Sequence, residues 1–301
     1  MKIGALAPWY GSKRTLAPTI VGELGQHSCY WEIFCGSCSA LFAKPRVTYE
    51  TVNDLHGDLV NLALVVQQPS AAEDLYGRAA RTLFHEDLLP VAKQKLTGEL
   101  LPESPDVDRA YWYLVFSWMS LNGISGTPLN RTGTFAVRYS ASGGNGATRW
   151  RSVVESIPDW HERLIGVQIL RRDAFEILAN IDDSPKTCIY VDPPYITKGA
   201  KYVHDFADEA EHRRLAELLA RFAKARVVVS YYAHPLLEEI YAGWTVVACS
   251  VAKSMNVFRA LRDVGRIDVV NSGMRDQKGR TEAPEILLVN GTSYTQNPTL
   301  F

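Results

Sequence analysis

Glu32-Ile33-Phe34-Cys35-Gly36-Ser37-Cys38-Ser39 is the stretch whose reading decides the fold. The run leading into it, Cys29 to Phe34, is apolar and aromatic and reads as a strand. Gly36 reads as a tight turn, and Ser39 to Lys44 as the start of a helix. Such a turn lets the backbone approach a ligand closely, and the helix N-terminus presents free N–H groups to it. A second strand, Val47 to Val52, ends at Asn53-Asp54, eighteen positions after Gly36. Doubly wound α/β folds place an acid there, where a carboxylate accepts the ribose hydroxyls of a nucleotide-like cofactor. The same pair suits a nicotinamide-dependent oxidoreductase, although the turn lacks a full Gly-x-Gly-x-x-Gly.

Outward from this unit, Pro8-Trp9-Tyr10-Gly11-Ser12-Lys13 forms a glycine-containing loop ahead of a helix from Leu16 to Leu24. On the other side, a helix spans Asp58 to Gln67, and Pro69 opens a different kind of sequence. Helices are expected at Ala71 to Leu83 and Arg109 to Leu121, followed by a Gly/Ser-rich region from Asn122 to Gly146. Tyr111, Trp112, Phe116 and Trp118 fall at helical spacing and are assigned mainly to a core. No Asp or Glu occurs from Ala110 to Val154, whereas Arg131, Arg138, Arg149 and Arg151 all do. Arginine suits phosphates and guanine edges, so these four are the expected DNA contacts, with a solvated loop as the plainer alternative.

The α/β pattern resumes with a strand at Val167 to Leu170, Asp173-Ala174-Phe175 and a helix to Asn180. Cys188 to Val191 then reads as a buried strand delivering Asp192-Pro193-Pro194-Tyr195 to a ligand crevice. The tetrapeptide supplies a carboxylate, two backbone units with fixed φ and no donor, and an aromatic ring. A strand ended by a proline turn, with a capping Asp and a surface Tyr, has the same composition. Further elements are expected at Asp208 to Ala223, Arg226 to Ser230, Pro235 to Tyr241, Thr245 to Val251 and Ile286 to Asn290. The polar segment between the last two carries Lys253, Arg259, Arg262, Arg266, Arg275, Lys278 and Arg280, but also the nearby acids Asp263, Asp268, Asp276 and Glu282, which make a solvated loop an equal reading.

The bulk properties narrow the field. With 301 residues and 47% hydrophobic composition, a packed core is expected. A formal charge of -1 gives no global basic field, so any contact with nucleic acid must be local. Five cysteines, no secretory signal and no apolar run near the roughly 20 residues of a membrane span lead us to expect a cytoplasmic protein without a membrane partner. Cys35-Gly36-Ser37-Cys38 has redox-motif spacing, but no second close Cys/His pair completes a metal site, and no metal is expected.

Taken in order, these pieces resemble the Dam-like (D12 class) N6-adenine DNA methyltransferases. The resemblance is carried by Pro8 to Lys13, Glu32 to Ser39, Asn53-Asp54, Asp173-Ala174-Phe175, Asp192 to Tyr195 and Glu285-Ile286-Leu287-Leu288-Val289-Asn290. It implies a Rossmann-like S-adenosylmethionine-dependent methyltransferase sheet, residues 1-68 and 165-301, interrupted by a mainly helical target-recognition domain, residues 69-164. It further implies that Trp9, Lys13, Asp54 and Asp192 contact S-adenosylmethionine, that Phe34 and Gly36 line its pocket, and that Asp173 lies near its adenine. Asp192, Pro193, Pro194 and Tyr195 would act on an adenine flipped out of double-stranded DNA, with no obligatory protein partner. Cytosine N4 or an adenine in RNA is the nearest alternative substrate, and a catalytically silent DNA-binding protein is a more distant one. Cys38 replaces a second glycine common in the family. Ala136 and Arg138 replace a frequent Asn and Pro, so a GATC target does not follow from the resemblance.

Overall fold

The computed structural model describes residues 2–9, 13–98, 105–121, 134–137, 144–196, 206, 208–249 and 285–296. After a short 3-10 turn at Lys13–Thr15, the elements run α1 (Ala17–Leu24), β1 (Cys29–Glu32), α2 (Ser39–Ala43), β2 (Tyr49–Asn53), α3 (Gly57–Gln67), α4 (Pro69–Ala80), α5 (Leu88–Lys95) and α6 (Val107–Met119). They continue with α7 (Gly146–Val154), α8 (Ile157–Leu164), β3 (Val167–Leu170), α9 (Ala174–Asn180), β4 (Thr187–Val191), α10 (Glu209–Ala220), β5 (Arg226–Tyr232), α11 (Pro235–Ile240), β6 (Thr245–Ala248) and β7 (Glu285–Val289). The chain divides into two compact units. The first holds the described residues up to Ala17 and those from Phe34 to Asp173. The second holds those from Pro18 to Ile33 and from Ala174 onward.

In the first unit β2 runs parallel to β3, with Asn53 opposite Leu170. Helices α4 to α8, read from the sequence as an inserted segment, belong to this unit together with both strands. Its helices are fixed at their ends by side chains. Asp106 caps α6 by accepting the Arg109 N–H at 2.9 Å, and Asn61 of α3 exchanges two 2.8 Å hydrogen bonds with the Asp106 backbone. Each such cap satisfies an amide that the helix cannot. A buried triad ties β2 to α8: Glu50 accepts from Lys44 at 2.5 Å and from both Arg163 terminal nitrogens at 2.6 and 2.8 Å. Burial pushes the Glu50 carboxyl up, but the hydrogen bonds from Arg163 and Lys44 outweigh it and hold the group below its ordinary range.

Residues 2–9 cross this unit as an extended segment. Its carbonyls at Ile3 and Leu6 accept the indole N–H groups of Trp160, at 2.5 Å, and Trp118, at 3.0 Å. Both rings are fully buried, and Tyr111 and Phe116 are buried too, in line with the core assignment of the α6 aromatics, while Trp112 is half-buried.

The strands of the second unit lie in the order β1-β4-β5-β7-β6. β4 pairs parallel with β1 and β5, whereas β7 is antiparallel to β5 and β6. Every residue of β4 is buried, which explains its continuous apolar reading. Register places Val191 opposite Val229, and Tyr232 opposite Glu285. The carboxyl ends of β4 and β5 therefore meet the first residue of β7.

Element boundaries shift modestly from expectation. The first strand stops at Glu32, because the chain turns at Phe34 so that the Cys35 N–H reaches the Asn53 carbonyl at 2.9 Å. β5 extends two residues beyond Ser230, held by β7. Helices α5, α7 and α8 have no counterpart in the sequence reading. α5 and α8 each carry a proline in the first turn, Pro90 or Pro158, where a missing N–H costs no intrahelical bond.

Candidate active site

The glycine turn is closed by the acid expected to face it. Asp54 Oδ2 accepts the Gly36 N–H at 2.8 Å and Oδ1 accepts the His56 N–H at 2.9 Å. One carboxylate thus joins the turn after β1 to the loop leading into α3. Gly36 has φ 44°, and a Cβ there would lie 2.9 Å from the Trp9 indole nitrogen. Glycine is required both by the left-handed backbone and by the close ring. Trp9 in turn meets the His56 ring edge-on at 5.5 Å, and His56 meets Tyr113 at 5.6 Å. Cys38 takes φ 57° and ψ 29°, the left-handed conformation that a glycine would adopt without strain. Its replacement of the common glycine therefore keeps the turn, with the Cys38 N–H bonded to Cys35 O at 2.7 Å.

Of the other predicted cofactor residues, Lys13, Phe34 and Asp173 belong to the same unit and Asp192 to the second. Lys13 is buried, in the turn that packs on α2, and Phe34 is half-buried at the entry to the glycine turn. Asn53 clasps the backbone after β3, accepting the Arg172 N–H at 2.9 Å and donating to the Arg172 carbonyl at 3.0 Å. Asp173 follows at an exposed position.

In the second unit, Asp192 emerges from β4 into a hydrogen-bonded chain. Its Oδ1 accepts the Ser230 hydroxyl at 2.6 Å and lies 3.1 Å from the Tyr195 hydroxyl. That phenol is closer to Glu285 Oε1, at 2.7 Å, and Ser230 Oγ stands 3.1 Å from the Tyr190 hydroxyl. The Tyr195 ring packs edge-on against Tyr232 at 4.6 Å and tilted against Tyr231 at 5.6 Å. Burial first, and the Asp192 and Glu285 charges next, push the Tyr195 phenol well above its ordinary range, so it stays a proton donor at neutral pH. Burial and the Asp192 charge do the same to Tyr190. Ser230 and Glu285 were not singled out as site residues in the sequence. Ser230 had only its place at the carboxyl end of a strand, and Glu285 only its place at the head of a family-like run.

The four predicted DNA-binding arginines fare differently. Arg131 and Arg138 lie outside the described residues, as does the basic segment from Lys253 to Arg280. Arg149 is half-buried and donates to the Trp118 carbonyl at 3.2 Å, near the C-terminus of α6. Arg151 is exposed, 3.8 Å from Glu155. Among the described residues, no cluster of three or more His, Cys, Asp or Glu groups is placed to hold a metal, and no helix is long and apolar enough to cross a membrane.

A family model described as D12 class N6 adenine-specific DNA methyltransferase matches residues 9–255. The matched span includes Trp9, the Gly36 turn, Asp54, Asp173, Asp192 to Tyr195 and Ser230, and stops short of Glu285. A search of curated proteins found no match.

Proposed function

Starting from the fact that the chain belongs to the D12 class N6 adenine-specific DNA methyltransferase family, we propose that it methylates N6 of an adenine in a specific sequence of double-stranded DNA, using S-adenosylmethionine. The observation that carries this reading is the Asp192 carboxylate, oriented by Ser230 and flanked by Tyr195 at the end of β4. The donor set of the first unit fits the cofactor part by part. Asp54 suits the ribose hydroxyls, the Lys13 ammonium suits the methionine carboxylate, Phe34 and Trp9 offer apolar faces, and Asp173 suits the adenine amine. Gly36 allows the backbone the close approach that a Cβ would deny. When bound, S-adenosylmethionine supplies an electrophilic methyl group on a sulfonium.

The adenine amine is a poor nucleophile because its lone pair is delocalised into the ring. Within the duplex it is also inaccessible, so the base is flipped out at a cost of a few kcal/mol. Asp192 and the Pro193 carbonyl accept from N6–H and draw the lone pair onto nitrogen, while the Tyr195 ring stacks on the base. Both prolines keep this acceptor pair rigid. Catalysis rests on positioning and on electrostatic stabilisation of charge growing at N6. Residues 69-164 serve as the target-recognition part, with Arg131, Arg138 and Arg151 on the DNA. The enzyme works in the cytoplasm and needs no obligatory protein partner.

Incubating the protein with labelled S-adenosylmethionine and DNA, followed by nucleoside analysis, tests the reading. N6-methyladenine is the expected product, absent with Asp192→Ala. N4-methylcytosine, product on RNA alone, or unchanged transfer by Asp192→Ala overturns it.

A further inference from the structure

Trp9, Gly36, Asp54 and His56 close a ring of contacts drawn from three separate stretches of the first unit. Asp54 Oδ2 accepts the Gly36 N–H at 2.8 Å, and Oδ1 accepts the His56 N–H at 2.9 Å. The Trp9 indole lies so close to Gly36 that a Cβ there would meet its nitrogen at 2.9 Å. The same indole meets the His56 imidazole at 5.5 Å between centroids, with the rings nearly perpendicular at 82°. The carboxylate therefore fixes the backbone of both residues that touch Trp9.

His56 is the member of the ring that is braced from behind. Its Nδ1 accepts the Leu59 N–H at 3.3 Å and so caps α3. A ring that caps a helix cannot swing away without leaving that amide without its acceptor. Tyr113 of α6, itself buried, meets the imidazole at 5.6 Å. The two supporting helices are tied together, because Asn61 of α3 exchanges two 2.8 Å hydrogen bonds with the Asp106 backbone at the head of α6. α6 also grips the N-terminal segment directly, through the Trp118 indole N–H on the Leu6 carbonyl at 3.0 Å, three residues before Trp9. The imidazole thus stands between a braced helix pair and the Trp9 indole.

We propose that His56 is a positioning residue for S-adenosylmethionine: its ring holds the Trp9 indole against the Gly36 turn, so that the apolar face offered to the cofactor is set before the cofactor arrives. The inference rests on the cofactor reading above and adds to it a residue that carried no signal of its own in the sequence. Ordering a side chain on binding costs affinity, and a side chain already ordered in the unbound protein avoids that cost. His56 acts through Trp9 and takes no part in methyl transfer itself.

Substitution can separate the ring from the cap. His56→Asn keeps a capping acceptor and removes the ring. Its S-adenosylmethionine affinity by calorimetry should fall about three- to tenfold, the cost of ordering one side chain on binding. His56→Phe keeps a ring and removes the cap. It should melt earlier than wild type yet bind S-adenosylmethionine within about twofold of it, a separation that a merely structural role would not give. Trp9→Ala should weaken binding by itself, and adding His56→Asn to it should cause no further loss. Wild-type affinity in His56→Asn overturns the proposal, as do additive losses in the double variant or an affinity in His56→Phe as low as in His56→Asn. Should His56→Asn not melt cooperatively, His56→Ser, which also caps, answers the same question. Wild-type protein that binds no S-adenosylmethionine sinks the cofactor reading and this inference together, whereas equal binding by wild type and His56→Asn sinks this inference alone.

Discussion

Asp54 accepts the backbone N–H of Gly36 at 2.8 Å across eighteen positions of chain. The acid is therefore part of the turn's own architecture, and the proposed function gives it a ligand hydroxyl as well, which couples the two jobs. Gly36→Ala tests the coupling. It imposes a side chain on φ 44° and presses a methyl group to 2.9 Å from the Trp9 indole. The strained backbone costs about 1–2 kcal/mol, and displacement of Trp9 adds to it. We expect a lowered melting temperature and at least a tenfold weaker S-adenosylmethionine affinity by calorimetry. Unchanged binding would show that the turn does not face the cofactor.

Two arginines on α7, two positions apart, should separate stability from DNA binding. Arg149 points at the Trp118 carbonyl, where a cation also complements the C-terminal end of α6, and it is half-buried. Arg149→Ala should cost about 1–2 kcal/mol of stability, the loss of a charged donor to a buried carbonyl. Arg151 is exposed, and Arg151→Ala should leave melting within about 0.5 kcal/mol of wild type. Its expected effect is weaker DNA binding with a log–log salt slope reduced by about 1. Fluorescence anisotropy at several salt concentrations, set beside thermal melts, reads both.

What the sequence made legible follows from where each signal resides. The glycine turn, the acid at the end of β2 and the carboxylate after β4 were readable because backbone conformation and strand-end placement leave local marks: Gly36, Asp54 and Pro193-Pro194. The aromatic face of α6 was readable as core because helical periodicity reports burial. Ser230 and Glu285 were not readable as partners of Asp192 and Tyr195. Ser230 meets Asp192 and Glu285 meets Tyr195 through the register of β4, β5 and β7, pairings across 38 and 90 positions that no local pattern encodes. Nor did the sequence mark the hydrogen bond from Arg149 to the Trp118 carbonyl, since an arginine that satisfies a helix carbonyl and one that meets a phosphate are the same letter.

The C-terminal segment is clamped to α1 by a single fully buried carboxylate. Glu23 accepts from Arg226 at 2.8 Å, from the Ser293 hydroxyl at 2.6 Å and from the Thr295 amide at 3.0 Å. Burial raises its carboxyl, but the hydrogen bonds from Ser293, Thr295 and the Tyr294 amide win and hold it below the ordinary range. Arg226 also stacks on the Tyr294 ring at 4.1 Å, and that ring covers Gly25. Glu23→Ala would leave the guanidinium without its buried partner, and breaking such a pair costs about 3–5 kcal/mol. Chemical denaturation should show that loss, and proteolysis should release residues beyond Asn290 first. A loss under about 1 kcal/mol would mean that the clamp contributes little.

His212 should make the second unit sensitive to mild acid. It is buried on α10 beside the Tyr231 hydroxyl, and burial, followed by the nearby His234, pushes its imidazole down to about 4. In the unfolded chain it titrates near 6.5. The unfolded state therefore binds more protons between these values, so the stabilisation is complete above the unfolded pKa and is lost as pH falls toward 4. Linkage puts the loss at about 2 kcal/mol between pH 7.5 and 5, with His234 acting in the same direction. The depressed carboxyls of Glu23 and Glu50 lose their contribution only at lower pH, below their ordinary range. Denaturation midpoints at pH 7.5, 6 and 5 should fall stepwise for the wild type. They should fall less for His212→Gln, which can still bond Tyr231 but takes up no proton, and equal slopes for the two proteins would rule His212 out as the sensitive group.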